Sequence, residues 1–375
     1  MTASRMGAHA EQTGVLIVGA GAVGAATAWQ LARRGVTVAV LEQFAVGHHH
    51  GSSHGPSRIF RVSHGSDDYL TMATRSLSLW RDLEAETGTR LLTVTGGVHH
   101  GAQKAVDDIS RALTCNQIPH EMLTPAEASH RFPGMHFAGP VLFQPDEAHI
   151  HADTAVETLT GLARGLGAEF RYNSRVTEIS PADHGAVVHT ADGTRWYTRV
   201  VVATCGAWMT NVVGDLIELP PLQVTEQLPA QYAPYDASAA WPVFVHRFST
   251  NGLPEEFGGF YGLLSPGQGV KIGERRGGPV TDPDRRDPAA HPALLSRLNE
   301  YVTRWFPGLQ PTPLNPSPCL YTSTETEDFI LDRRGPLVIG SACSGHGFKF
   351  VPELGRILAD LALGGSSHPR FALPY

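Results

Sequence analysis

The chain reads Val15-Leu16-Ile17-Val18-Gly19-Ala20-Gly21-Ala22-Val23-Gly24-Ala25-Ala26 and, after further alanines and Gly35, Val38-Ala39-Val40-Leu41-Glu42. An apolar run, three glycines at G-x-G-x-x-G spacing, a helix-forming stretch, a second apolar run and an acid follow one another as in a βαβ unit that binds a dinucleotide. Gly19 allows a tight turn, Gly21 lets backbone approach a pyrophosphate, and Gly24 lets helix and strand pack closely. The helix N-terminus turns its N–H groups toward the anion. Glu42 stands about 20 residues past the loop, where a carboxylate accepts from a ribose hydroxyl, and an acid there disfavours a phosphorylated ribose. A purely structural glycine turn is the alternative. Strand, helix, second strand and acid occurring together argue against it.

At 375 residues the chain can bury a large core and is expected to divide into two domains. Hydrophobic residues make up 42% and charged residues 17%, as in an ordinary globular protein rather than a disordered one. The formal charge of -7 supplies no basic field, so nucleic acid and membrane are not expected as partners. Cys115, Cys205, Cys319 and Cys343 are widely spaced without a C-x-x-C pair, which suggests neither a disulfide framework nor a zinc site. A reducing cytoplasm fits that usage. The first dozen residues lack the apolar core of a signal peptide, and no apolar run approaches the ~18 residues that span a bilayer, so a cytoplasmic location is expected. His48-His49-His50 cannot readily present three ligands to one ion and has no cysteine or carboxylate beside it in sequence. No metal is expected, and the tract is read as a loose loop.

Residues 1–12 read as a loose extension, with structure starting near Thr13. The glycine-loop helix is expected to run through Trp29 and Leu31 to Arg33 and Arg34, with Gly35 as its stop. Leu70, Ala73, Leu77 and Trp80 place a helix over Tyr69 to Glu84. Thr124-Pro125-Ala126-Glu127 and Thr154-Ala155-Val156-Glu157 each read as a capping box opening a helix, the second running to about Arg164. The stretch from Arg171 to Ala203 is β-rich, with Asp192-Gly193 as a hairpin turn and Val200 to Ala203 as a buried strand of the cofactor sheet. From Leu219 to Pro318 frequent prolines and short strands, Val243-Phe244-Val245 and Val270-Lys271-Ile272, mark a different domain. The last segment, with Leu337-Val338-Ile339 and a helix carrying Leu354, Ile357, Leu358 and Leu361 on one stripe, returns to the first domain.

Three further patterns narrow the cofactor: Gly51-Ser52-Ser53-His54-Gly55 followed by Arg58 and Arg61; Cys319-Leu320-Tyr321-Thr322; and Ser344-Gly345-His346-Gly347-Phe348-Lys349-Phe350. In this order they resemble the monomeric sarcosine oxidase and N-methyltryptophan oxidase family, flavin amine oxidases of the D-amino-acid-oxidase-like group. The resemblance runs from roughly Thr13 to Leu363. It implies an α/β, overall α+β, chain with a discontinuous Rossmann-type FAD-binding domain (13–88, 145–217 and 319–375) and a second, mainly antiparallel β substrate domain (89–144 and 218–318).

The resemblance also implies FAD, tethered to a cysteine sulfur for which Cys319 stands in position; a buried structural thiol is the alternative for that residue. Cys115, Cys205 and Cys343 are expected to be packing residues. Gly19, Gly21, Gly24, Glu42, Ser52, Ser53, His54, Ser57 (where the family usually has threonine), Arg58, Val176, Gly345, Gly347, Phe348 and Lys349 are implied as further cofactor contacts. The Ser344–Phe350 loop precedes a helix, so its N–H groups can face a negatively charged reduced flavin. Arg61 and Lys349 are implied as the grip on a substrate carboxylate, the first as a fork and the second as a point charge. Lys271 matches a lysine on the oxygen side of the flavin, where a fixed ammonium stabilises the anion formed on oxygen. A solvent-facing strand lysine is its alternative. Tyr261 and Tyr321 match pocket aromatics; for Tyr261 plain packing is nearly as good a reading. Arg275 replaces a family histidine, which puts sarcosine itself in question and suggests a second anionic or polar group on the substrate.

The implied activity is oxidation of a secondary amine or N-methyl amino acid to an imine, with oxygen as acceptor and hydrogen peroxide as product. Small-molecule amine and O2 are the expected partners of a monomer. Alternatives are a cyclic imino acid or peptide-amine oxidase of secondary metabolism, a deglycating oxidase, or a non-catalytic flavoprotein.

Overall fold

A computed structural model describes residues 10–248 and 259–374; of the expected extension, residues 1–9 lie outside the described residues. Two compact units divide the chain, unit 1 comprising Met1–His54, Ala155–Gln223 and Thr322–Tyr375 and unit 2 comprising Gly55–Thr154 and Val224–Tyr321. Residues 55–88 and 145–154 therefore pack with unit 2, because Ser57–Phe60 pairs with Ala148–His151, which in turn pairs with Leu92–Val94.

Unit 1 is built on a parallel sheet. Ala10–Val18 lies between Val38–Leu41 and Arg195–Ala203, both parallel to it, with Val15 level with Val38 and Val200. Glu169–Arg171 extends one side. On the other, Arg195–Ala203 pairs first with Gly185–Thr190, antiparallel, and then with Leu337–Ser341, parallel. Such strands, buried on both faces, explain the continuous apolar runs. The first strand begins at Ala10, three residues before the expected start, because residues 10–13 pair with Arg195 to Thr198. Asp192 and Gly193, the latter at φ +87°, turn the expected hairpin. Helix Ala22–Ala32 follows the glycine loop, and a Cβ on Gly355 would stand 2.6 Å from the Ala26 backbone, so helix Val351–Ala362 crosses it at close range.

Unit 2 carries an eight-stranded sheet in the order Leu309–Pro313, Ala230–Pro234, Gly269–Glu274, Phe260–Ser265, Val243–Arg247, Gly97–Gly101, Val141–Gln144 and Glu121–Leu123. Every pairing is antiparallel except that of Val243–Arg247 with Gly97–Gly101. Its aromatic core includes Phe132, Phe143, Tyr232, Trp241, Phe244, Tyr301, Trp305 and Phe306. Helix His291–Trp305 covers this core with Leu294, Leu298, Tyr301, Val302 and Trp305. It forms inside the proline-rich stretch, where the sequence shows strand-like pieces and no helix is expected. Helix Asp67–Thr87 is longer than expected and ends at Gly88, whose φ of +66° only glycine adopts without strain.

The capping box at Thr124 is present in full, with Pro125 at the first turn. The box expected at Thr154 is not a helix start: helix Ala152–Gly165 begins two residues earlier, leading directly out of strand Ala148–His151, so Thr154 already lies inside it. Among the described residues no helix is long and apolar enough to cross a membrane.

Candidate active site

In unit 1 the glycine loop has the geometry a pyrophosphate requires. Gly19 has φ +102°, and a Cβ there would stand 2.5 Å from the Thr204 carbonyl; one on Gly24 would stand 1.9 Å from the Gly19 carbonyl. The Ala22–Ala32 helix takes no cap from its N-cap residue Gly21, which has no side chain, and has no acid in its first turn to oppose an anion. Ser53 Oγ accepts from the Ala22 N–H at 3.0 Å, which brings the serine loop to this helix end. Glu42 directly follows strand Val38–Leu41 and accepts from the Ala20 and Phe44 amides at 2.9 and 3.0 Å. Burial pushes its carboxyl up, but His48 and the two amides outweigh that and hold it below the usual range, so it is an ionised acceptor.

The histidine tract is not the loose loop expected. His48 Nε2 lies 3.6 Å from Glu42, and His50 stacks on Phe44 at 4.4 Å, because the acid and the aromatic after the second strand give the imidazoles something to pack on. His54 stacks on His49 at 4.9 Å, and Ser52 Oγ lies 4.0 Å from Cys343 Sγ. Val176 starts strand Val176–Ala182.

The Ser344–Phe350 loop leads through a short 3-10 turn, Phe348–Phe350, into helix Val351–Ala362. A Cβ on Gly347 would collide with the Ala342 carbonyl at 1.7 Å, and Gly345 has φ +68°. The amides of Ser344, His346 and Gly347 donate to the carbonyls of Thr322, Cys343 and Cys343, so part of the loop's N–H supply serves the loop itself. Lys349, 4% exposed, donates to the His346 carbonyl and lies 4.5 Å from the Phe350 ring.

Unit 2 gathers most of the other singled-out residues. Lys271 sits mid-strand between Gln231 and Leu263 and is 8% exposed, not the solvent-facing lysine of the alternative. Burial, helped by the Arg58 charge, brings its ammonium down from 10.5 to about 7; Cys319 and Asp153 pull the other way. Arg58 donates to the Ser57 carbonyl at 2.8 Å, and Ser57 Oγ meets Ser265 Oγ at 3.0 Å with both side chains buried. Tyr321 donates to the Tyr261 hydroxyl at 3.2 Å; burial, with Cys319 nearby, pushes Tyr261 up to about 12. Cys319 opens strand Cys319–Ser323 and is 9% exposed. Arg61, 9% exposed, donates to the Ser63 carbonyl. Arg275 lies just past its strand, its amide donating to Gly259 at 2.9 Å.

Of the remaining cysteines, Cys205 is buried as expected of a packing residue and Cys343 half-buried, but Cys115 is exposed at the end of helix Gln103–Cys115, so that expectation is corrected. Ser265, Asp153, whose carboxylate accepts from the Gly55 amide at 2.8 Å, and the buried pair His99–Glu147 escaped the sequence reading. Their partners lie from 48 to 208 residues away, and no local spacing announces them.

Residues 14–361 match the FAD dependent oxidoreductase family. The chain is 33% identical to a monomeric sarcosine oxidase of Streptomyces avermitilis over 95% of each, and 28% identical to an N-methyl-L-tryptophan oxidase of Salmonella agona over 93% of this chain and 94% of that one. It superposes on NikD, described as an unusual amino acid oxidase essential for nikkomycin biosynthesis, with a TM-score of 0.84 at 28% identity over 95% of both chains. The chain thus belongs to the FAD-dependent oxidoreductases, on the sarcosine-oxidase-like branch. Glycines that a Cβ would block, a helix N-terminus without an acid in its first turn and an ionised Glu42 fit the FAD that this family carries.

Proposed function

We propose that the chain is an oxidase of a secondary amine or N-methyl amino acid, with FAD tethered through Cys319. The observation that carries the reading is the cluster in unit 2 of a buried Lys271, Arg58, the Tyr261–Tyr321 hydroxyl pair and Cys319, which brings cationic and aromatic groups together with a thiol. Gly19, Gly21, Gly24, Glu42, Ser52, Ser53, His54, Ser57, Arg58, Val176, Gly345, Gly347, Phe348 and Lys349 would hold the cofactor. Bound there, FAD would supply the two-electron acceptor that converts the amine to an imine, oxygen then taking the electrons with release of hydrogen peroxide.

The chain's own groups do the rest. Arg61 presents a planar fork suited to a carboxylate, and Lys349 is proposed as the second cation for the same group. Placing the amine-bearing carbon by its carboxylate lowers the barrier by orientation. Lys271, cationic below about pH 7, stabilises negative charge building on oxygen. Arg58 raises the positive potential around it. Tyr261 and Tyr321 offer ring faces and a bonded pair of hydroxyls to the substrate, and burial, which pushes Tyr261 up, keeps that hydroxyl protonated at neutral pH. A monomer in the cytoplasm, working on small molecules without nucleic acid or membrane, completes the reading; the charge of -7 supports the absence of a polyanionic partner.

The likeness to NikD, together with Arg275, favours a second reading in which the substrate is a cyclic imino acid or peptide-borne amine carrying an extra polar group. Acid precipitation of the purified protein tests the tether. Yellow colour that stays with the pellet, and moves to the supernatant in Cys319→Ser, is expected; colour free in the supernatant of the parent would remove the covalent link.

A further inference from the structure

Beneath Arg61 lies a buried acid that none of the assigned roles uses. Glu147 and His99 are each 1% exposed, and His99 Nε2 meets the two carboxylate oxygens at 2.9 and 3.1 Å. The Ser63 amide donates to the same carboxylate at 3.2 Å, while the Ser63 carbonyl accepts from the Arg61 guanidinium. One residue is therefore held at its N–H by the acid and at its C=O by the arginine. The carboxylate cannot swing away: a Cβ on Gly97 would stand 1.9 Å from Glu147 Oε2, so the strand backbone passes directly over it, and the Glu147 carbonyl is itself taken by the Thr95 amide.

The charges follow from this packing. Burial holds His99 below its ordinary value, with Arg61 and Arg247 pushing the same way against Glu147, so the imidazole is neutral and serves as a hydrogen-bond donor. Burial pushes the Glu147 carboxyl up, but His99, the Ser63 amide and Arg61 outweigh it, and the acid is ionised. A full negative charge beside a neutral imidazole is left to act on the neighbouring guanidinium through a low-dielectric interior.

We infer that Glu147, seated by His99, is a positioning residue that sets how strongly Arg61 holds a substrate carboxylate. It fixes the Ser63 carbonyl on which the guanidinium rests and competes by charge with the incoming anion. This rests on the reading of Arg61 as a carboxylate fork. Glu147→Gln keeps the shape and an acceptor for the Ser63 amide but removes the competing charge.

The holoenzyme is titrated with acetate against acetamide and with benzoate against benzamide, followed through the flavin absorption band, for the parent, Glu147→Gln, Arg61→Met and the double variant. In Glu147→Gln the preference for carboxylate over amide is expected to rise roughly fivefold or more, the low end of ordinary coupling between sites. The same substitution in the Arg61→Met background is expected to leave the preference unchanged. A merely structural role would move carboxylate and amide together. A preference in Glu147→Gln that stays at or below the parent's, while Arg61→Met abolishes it, overturns the inference alone. If Arg61→Met keeps the preference, the carboxylate reading of Arg61 falls, and the inference with it.

Discussion

Replacing Lys271 by methionine should stabilise the folded chain and remove its reaction with oxygen, and both effects follow from one buried ammonium. Burial and Arg58 lower the lysine from 10.5 to about 7. At about 1.4 kcal/mol per pH unit, carrying the charge in the folded state at neutral pH costs on the order of 5 kcal/mol. Between pH 7 and 10.5 the unfolded chain binds a proton that the folded chain does not, so parent stability rises with pH across that window. Methionine, of similar length and no charge, escapes the cost. Denaturant unfolding of flavin-free protein, prepared in a Cys319→Ser background, should show Lys271→Met more stable by up to about 5 kcal/mol at pH 7 and by only about 2 kcal/mol at pH 9. In the holoenzyme, stopped-flow mixing of reduced protein with oxygen should give a rate that falls about tenfold per pH unit above 7, as the cation is lost, and that is slow and flat in the methionine variant. A stability gap independent of pH, together with a flat oxygen rate in the parent, would refute the reasoning.

Two further outcomes can be measured directly. Arg275→His should reorder a panel of amines scored by peroxide release, raising the smallest N-methyl amino acids relative to larger substrates with a second polar group; an unchanged ranking removes Arg275 from specificity. Acid should loosen unit 2, because burial lowers His149 from 6.5 to about 4 and His246 to about 3, so both are neutral when folded and take up protons when unfolded below pH 6.5. Their contribution is intact above that pH and falls as pH drops toward 4, by about 4 kcal/mol in all at pH 5. His149→Leu should reduce the slope of denaturant midpoint against pH between 6.5 and 5, and an unchanged slope would count against the linkage.

How far the sequence could be read depended on the range of the cause. The glycine loop, the Thr124 box and the Asp192-Gly193 turn are each set by a few neighbouring residues, and each stands where its residue types require. The box at Thr154 had the same local signature, yet the pairing of Ala148–His151 with Ser57–Phe60 carries the chain into the helix two residues sooner. Tertiary pairing overrides a cap worth ~1 kcal/mol. Helix His291–Trp305 went unread although Leu294, Leu298, Tyr301, Val302 and Trp305 repeat at helical spacing. Prolines at 288, 292 and 307 bound and enter this stretch, and such breakers mask the period.

The candidate site divides along the same line. Lys271, Arg58, Tyr261, Tyr321 and Cys319 stand out by resemblance, and for two of them sheet register brings the strands together, with Lys271 opposite Leu263 and Tyr261 opposite Gly273. Gly273 is part of that arrangement: a Cβ there would stand 2.6 Å from the Tyr261 ring, so a glycine two residues after Lys271 on the same strand is what makes room for the tyrosine. Glu147 could not be found this way. A lone glutamate before Ala148-His149-Ile150 looks like any turn residue. Only the folded chain reveals that the carboxylate is nearly inaccessible, bonded to a neutral histidine and joined through Ser63 to the arginine proposed to grip the substrate. An ionised acid in such a place is costly unless a cation repays it. That debt ties the acid to Arg61: the same charge that stabilises the empty site must be overcome when a substrate carboxylate arrives, so affinity there is a difference between two anions competing for one guanidinium.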